Sequence, residues 1–179
     1  GLTLSNAVLS AAHITLGTEQ AATSGTSIDF TGIPSGAKRV TVSLVNVSLS
    51  GTANLQLQLG DAGGVETSGY TVNVLTVYGV NSANNTFSST AVLVGISGTA
   101  SSLCQYSGMI VFSLEDASDN TWCFAGNFGG NNTVGGTSLA SVAVGGSKAL
   151  SAVLTQIRLT TSNGTDTFDS GAVNITYEM

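Results

Sequence analysis

Leu55-Gln56-Leu57-Gln58-Leu59-Gly60-Asp61 is the stretch on which the fold turns. Leucine and glutamine alternate, which puts three leucines on one face of an extended chain and the amides on the other. A helix would repeat its apolar positions every three to four residues instead. The run ends in Gly60-Asp61-Ala62-Gly63-Gly64, a turn sequence. The same rhythm recurs along the chain. Tyr70, Val72, Val74, Tyr78 and Val80 share one parity, as do Val173, Ile175, Tyr177 and Met179 at the end. Further strands are expected over residues 27–30, 87–96, 109–114, 121–128, 138–144 and 154–160.

The run 38–50 is irregular in a telling way. Val40, Val42 and Leu44 share one parity, whereas Val45, Val47 and Leu49 take the other. One strand buries both sets only if it bulges or bends near Leu44-Val45, as a strand does when it moves between two sheets. Ala117-Ser118-Asp119-Asn120 predicts a hairpin turn, and Trp122, Phe124 and Phe128 beyond it share a parity as the largest core anchors. Residues 129–136, mostly Gly and Asn, are expected to form a loop. Residues 1–24 show little periodicity beyond a short helical turn within 7–20, and read as an arm or linker before a domain over 25–179. The expected architecture is all-β: an antiparallel β-sandwich, jelly-roll-like, of about nine or ten strands, with an irregular N-terminal arm.

Composition narrows the function. The chain has 179 residues, enough for one domain with a core of its own. It holds 24 Ser, 23 Thr, 23 Gly and 13 Asn, and only 8% of its residues are charged, against about 25% in ordinary soluble domains. Four Lys and Arg against ten Asp and Glu leave no basic patch for phosphates, so no nucleic-acid partner is expected. Apolar runs such as 91–96 are far shorter than the roughly 20 residues of a membrane helix, and no basic-then-apolar leader opens the sequence. Cys104 and Cys123 lack metal or redox spacing and read as two free, buried thiols. The five Asn-x-Ser/Thr sequons, beginning at Asn46, Asn84, Asn131, Asn163 and Asn174, are what so much Asn, Ser and Thr produces by chance. A sheet protein normally guards its edge strands with Lys or Pro. With four basic residues and one Pro, the edges here are expected to be covered by the arm or by other copies of the chain.

Catalytic constellations are sparse. His13 is the one imidazole and lies in the arm, and no Gly-x-Ser-x-Gly elbow is present. A glycosidase needs only two carboxylates. Asp61 with Glu66, or Glu115 with Asp116 and Asp119, could supply them, but both sets sit in turns, where acids serve solubility. Glu115, Asp116, Asp119 and Asn120 also place oxygen ligands for calcium on one tight turn, although the hairpin itself accounts for them. No thiolate–imidazole cluster suits zinc, and no cofactor or metal is expected. Sugar recognition asks for an exposed aromatic platform with polar neighbours on loops. Among Trp122, Tyr78, Tyr106 and Phe128, strand parity assigns Trp122 to the core. Tyr106 is expected nearest the surface, and Phe128 has Asn127, Asn131 and Asn132 beside it. Tyr106, Asn127, Phe128, Asn131 and Asn132 are therefore the candidate glycan contacts.

Two blocks carry a family resemblance. One runs from Gly25-Thr26-Ser27-Ile28-Asp29-Phe30 through Thr31-Gly32-Ile33-Pro34-Ser35-Gly36-Ala37-Lys38-Arg39-Val40 to Leu55–Asp61 and Glu66-Thr67-Ser68-Gly69-Tyr70. The other is the ending from Ile157-Arg158-Leu159 through Asn163-Gly164-Thr165-Asp166-Thr167-Phe168-Asp169-Ser170-Gly171 to Glu178. Both resemble a β-sandwich module of structural proteins in tailed bacteriophages, found at tail-fibre ends and in small head or tail surface proteins. The resemblance brackets residues 25–178 and leaves 82–151 without a counterpart. It implies a virion component with a β-sandwich fold; together with the unguarded, uncharged edges, the expectation is a non-enzymatic virion protein that self-associates, as a homotrimer, and meets other virion proteins. It leaves open a fibre that contacts the host, a capsid decoration (cement) protein with no receptor role, and a lectin domain that binds host surface glycan. No catalytic residues carry over. Within the second block, Phe168 is expected to plug the core from a loop whose backbone amides Asp166 and Asp169 cap.

Overall fold

The computed structural model describes residues 14–78, 82–94, 102, 104–132 and 139–179. His13, Val80, Ile96 and residues 133–136, to which the expectations above extend, lie outside the described residues, as do the side chains of Tyr78 and Asn132. Alternation becomes strand along the chain. In order, the strands are β1 (Ile14–Leu16), β2 (Gln20–Ala21), β3 (Ser27–Thr31), β4 (Arg39–Leu49), β5 (Leu55–Asp61), β6 (Gly64–Val65) and β7 (Tyr70–Tyr78). Then follow β8 (Ser82–Ser88), β9 (Val92–Leu93), β10 (Cys104–Asp116), β11 (Thr121–Asn132), β12 (Leu139–Ala149), β13 (Gln156–Thr161) and β14 (Phe168–Glu178). The fourteen strands among the described residues exceed the nine or ten expected because β1, β2, β6 and β9 have only two or three residues each, too few to show a period.

All strand pairs are antiparallel, and they make two packed sheets. The nine-stranded sheet runs β1-β14-β4-β10-β11-β12-β7-β8, with β2 also on β14. The five-stranded sheet runs β3-β13-β5-β6, with β9 also on β5. With β1 and β2 taken as one strand, the wide sheet begins β1/β2-β14-β4-β10 and the narrow one holds β3-β13-β5-β9. That is jelly-roll order. Strands β11, β12, β7 and β8 widen the first sheet beyond β10.

The core lies between the inner faces. Leu55, Leu57 and Leu59 are buried against Val40, Val42, Ile110, Phe112 and Ile175 from the wide sheet, and Phe112 meets Phe124 across strands with ring centres 5.4 Å apart. Trp122, Phe124 and Phe128 are all buried, as their parity required. Phe168 is fully buried too, at the start of β14 rather than in a loop.

The phase change in β4 is a bulge, and the strand stays in one sheet. Leu44 and Val47 are buried, while Val45 between them is exposed and Asn46 takes φ 51°, a left-handed conformation that Asn tolerates. The neighbours bend with it. Gly108 on β10 pairs with Leu44, and the register slips between Tyr106 and Gly108. On β14, Gly171 has φ 97°, and a Cβ there would lie 2.5 Å from the Asn46 backbone. Three adjacent strands thus share one kink.

Three other expectations give way. Residues 14–21 are not a free arm or a helical turn: Ile14–Leu16 and Gln20–Ala21 pair with β14 and supply the sandwich's first strand. Their side chains are mostly exposed, so the pairing rests on backbone and leaves no apolar rhythm. Residues 87–96 are not one strand. The Ser88 hydroxyl accepts the amides of Thr90 and Ala91, ending β8, and the chain crosses to put Val92-Leu93 on β5. Finally, Gly129 and Gly130 continue β11 instead of opening a loop, paired with β10 and β12 on either side, and the glycine at 130 leaves room for the Tyr106 ring, which a Cβ there would approach to 3.1 Å.

Phe168→Ala should cost about 3–5 kcal/mol, the usual price of an emptied aromatic core site. Phe87→Ala, on a side chain 77% exposed, should stay within about 0.5 kcal/mol. Urea unfolding of the two variants checks the contrast.

Candidate functional site

The densest polar constellation joins the two sheets at one end. Lys148 lies on the inner face of β12, is 4% exposed, and gives its ammonium to the Glu66 carboxylate and the Ala149 carbonyl. It sits 5.6 Å from the centre of the Tyr70 ring, within cation–π reach. The Tyr70 hydroxyl accepts the Leu59 amide at 2.7 Å and donates to the Glu66 carbonyl at 3.0 Å. Ser151 completes the group: its amide donates to Glu66 at 2.7 Å and its hydroxyl to Asp61 at 2.6 Å. Glu66 and Ser151 stand on the two segments that cross between sheets, β6 to β7 and β12 to β13. The cluster ties both crossings together.

Asp61 and Glu66 were the carboxylates a glycosidase would use, and the fold does bring them to one place. Both carboxylates accept from Ser151 within the cluster. The Ser151 hydroxyl and the Gly63 amide hold Asp61 below the usual carboxylate range. Burial alone would raise Glu66, but the Lys148 ammonium and the Ser151 amide and hydroxyl together hold it below its ordinary value. Both are thereby held toward the ionised form. Burial pushes the Tyr70 hydroxyl well up, which keeps it a neutral hydrogen-bonding strut.

The glycan candidates disperse over two faces. Tyr106 is 5% exposed and Phe128 2%. Both point into the core, because β10 begins at Cys104 and keeps Tyr106 on the parity of Ile110 and Phe112. Tyr106 is therefore no surface aromatic, and Phe128 no platform. Asn127 and Asn131 are exposed on the opposite face of β11, beside Met109 and Gln105. Asn132 ends that strand.

The turn acids are engaged in the turn. Asp116 accepts the Ser118 amide and hydroxyl, both at 2.7 Å, and Asp119 accepts the Thr121 amide at 3.0 Å. Among the described residues no three His, Cys, Asp or Glu side chains converge. Asp166 caps the Ala53 amide across the loop at 2.8 Å, whereas Asp169 receives the Ser48 hydroxyl rather than an amide. Cys104 is buried but Cys123 is exposed, because β11 turns it away from Trp122 and Phe124. A cleft of about 370 Å³ between residues 16–20 and β3 has Asp29 and Gln20 in its wall. Arg158 grips the Asp29 carboxylate at 2.6 and 2.8 Å, and the Gln20 amide donates to the Asp29 carbonyl.

Sequence reasoning overlooked the outer face of the wide sheet. Two rows cross six strands there in register. One reads Ser43, Met109, Asn127, Ala143, Leu75, Asn85; the next reads Thr41, Val111, Ala125, Gly145, Asn73, Phe87. Neither row holds a charge. The ion pair on this face, Arg39 with Glu178 at 3.2 Å, stands at its rim. The other pairs, Lys148–Glu66 and Arg158–Asp29, belong to the interior and to the narrow sheet. Odd-numbered positions of 41–43, 109–111, 125–127 and 143–145 carried this signal in the sequence, once read for what they omit.

Lys148→Met should cost about 3 kcal/mol, because it strands the Glu66 carboxylate. The depressed carboxyls fix the sign of the pH response. Their stabilisation is complete above the unfolded carboxyl values, about pH 4, and is lost as pH falls through the lower folded ones. Unfolding midpoints taken from pH 7 to pH 2 should drop below about pH 4, less steeply in Glu66→Gln.

Compared with protein-family models, with curated proteins and with solved structures, the chain matches none.

Proposed function

We propose that this chain is a non-enzymatic structural protein of a tailed-phage virion, on a fibre or on the particle surface, whose copies meet through the outer face of the wide sheet. The observation that carries the reading is the uncharged register across β4, β10, β11, β12, β7 and β8. An ordinary solvent-facing sheet of this size bears lysines and glutamates. Six strands span about 24 Å, and with the uncharged rows on either side, through Ser107, Gly129, Ser141 and Val77 and through Ser113, Cys123, Ser147 and Thr71, the patch runs about nine residues or 30 Å along the strands, so it projects roughly 700 Å². That approaches the roughly 800 Å² per partner of a standard interface. Small side chains at Ala125, Ala143 and Gly145 let a second flat surface approach closely, and there are no charges to strip of water.

The resemblance of residues 25–178 to phage virion modules supplies the setting. The polar cluster at Lys148 supports it from the other side, since its carboxylates are spent on holding the sheets together.

Sedimentation of the full chain at micromolar concentration tests the reading. The wild type should run as an oligomer. Ala125→Arg, on an exposed position at the centre of the face, should shift it to a smaller species, while Gln56→Arg on the narrow sheet should leave it assembled. A monomeric wild type would overturn the reading.

A further inference from the structure

Strand β8 is the last of the wide sheet, and among the described residues no strand pairs with its far side. Such an edge recruits other strands unless Lys, Pro, a bulge or a covering element blocks it. Ser82-Ala83-Asn84-Asn85-Thr86-Phe87-Ser88 contains no Lys, Pro, Gly or charge, and its seven residues pair with β7 without a register slip. The opposite edge of the sheet is closed by β1 and β2, which are only three and two residues long. A second, independent feature lies beside β8. Phe87 is 77% exposed, with Leu75 at 43% and Val77 at 44% on the same face of β7. An open row of backbone groups and an apolar patch coincide.

We propose that β8 pairs antiparallel with β8 of a second copy, about a two-fold axis through Asn85. This rests on the self-association reading above and adds an edge contact to the one made by the outer face. The register follows from parity. For the outer faces of both sheets to remain on one side, opposed residues must share parity. Centring the seven residues then sets Asn85 against its own counterpart, Thr86 against Asn84, and Phe87 against Ala83. A large ring meets a methyl at each end, so the strand is complementary to itself. The two Asn85 amides face each other, one donating and one accepting.

The occupant is a second copy because of what the edge lacks. With no charge in β8, a charged peptide or a nucleic acid finds nothing to pair with, whereas β8 carries its own complement. The contact is isologous. It makes dimers, or joins two of the trimers expected from the sequence.

Cross-linking tests both contact and register. In a full-length Cys123→Ser background, which removes the exposed native thiol, Asn85→Cys would place two thiols directly across the axis. Their Cβ atoms would lie about 4.5–5.5 Å apart. Phe87→Cys would leave its pair four positions out of register, about 13 Å apart along the strand. Mild oxidation should convert most of Asn85→Cys to a covalent dimer that reductant reverses, and little of Phe87→Cys. If Asn85→Cys stays uncross-linked while the same sample sediments as an oligomer, the edge contact is wrong and the self-association reading stands. If it stays uncross-linked and sediments as a monomer, both fall. Equal cross-linking of both variants would overturn the register.

Discussion

One buried ammonium holds the two sheets in place. Lys148 on the wide sheet reaches Glu66, Glu66 takes the Ser151 amide, and the Ser151 hydroxyl closes onto Asp61 of the narrow sheet. Tyr70 runs alongside and satisfies the Leu59 amide. The apolar core fixes how far apart the sheets lie, but apolar contact is indifferent to sliding. A directional polar knot at both crossings is not. It sets β7 and β12 against β5, and thereby places β8 and the whole outer extension of the wide sheet. The chain uses two of its ten acids and one of its four basic residues for this purpose.

That allocation leaves the outer face as it is. Arg158 is taken by Asp29 and Arg39 by Glu178. Several of the remaining acids serve turns and loops, Asp116 and Asp119 in one hairpin and Asp166 in another loop. The broad sheet is left to Ser, Thr, Asn, Ala and Gly with a few larger apolar groups. Hydroxyls and amides keep such a surface compatible with water. Their small size and lack of charge make it compatible with a second surface like itself. Low charge, a β8 edge left open among the described residues and an uncharged face are one property seen at three scales.

The sandwich was legible wherever a side-chain rhythm accompanied burial. Leu55, Leu57 and Leu59 announced β5, and the parity change at Leu44-Val45 announced the bulge. Strands held by backbone alone were not legible: Ile14–Leu16 pairs with β14 while showing its side chains to solvent. Glycine misled in β11, where Gly130 makes room for a ring instead of a turn. Tyr106 was misplaced because its strand starts at Cys104, and Asp61 with Glu66 was right as a proximity, bridged by Ser151. Lys148, the centre of the knot, carried no local signal. A lysine between Ser147 and Ala149 looks like any surface lysine until Tyr70 and Glu66 are folded onto it.

The most direct measurement is imaging, at a resolution that traces strands, of the assembled full-length chain. The account predicts several copies in contact, with the rows through Met109 and Ala125 covered and the Arg39–Glu178 pair at the rim. An assembly in which that face stands bare to solvent, with copies joined through the narrow sheet, or a chain that does not assemble, would contradict it.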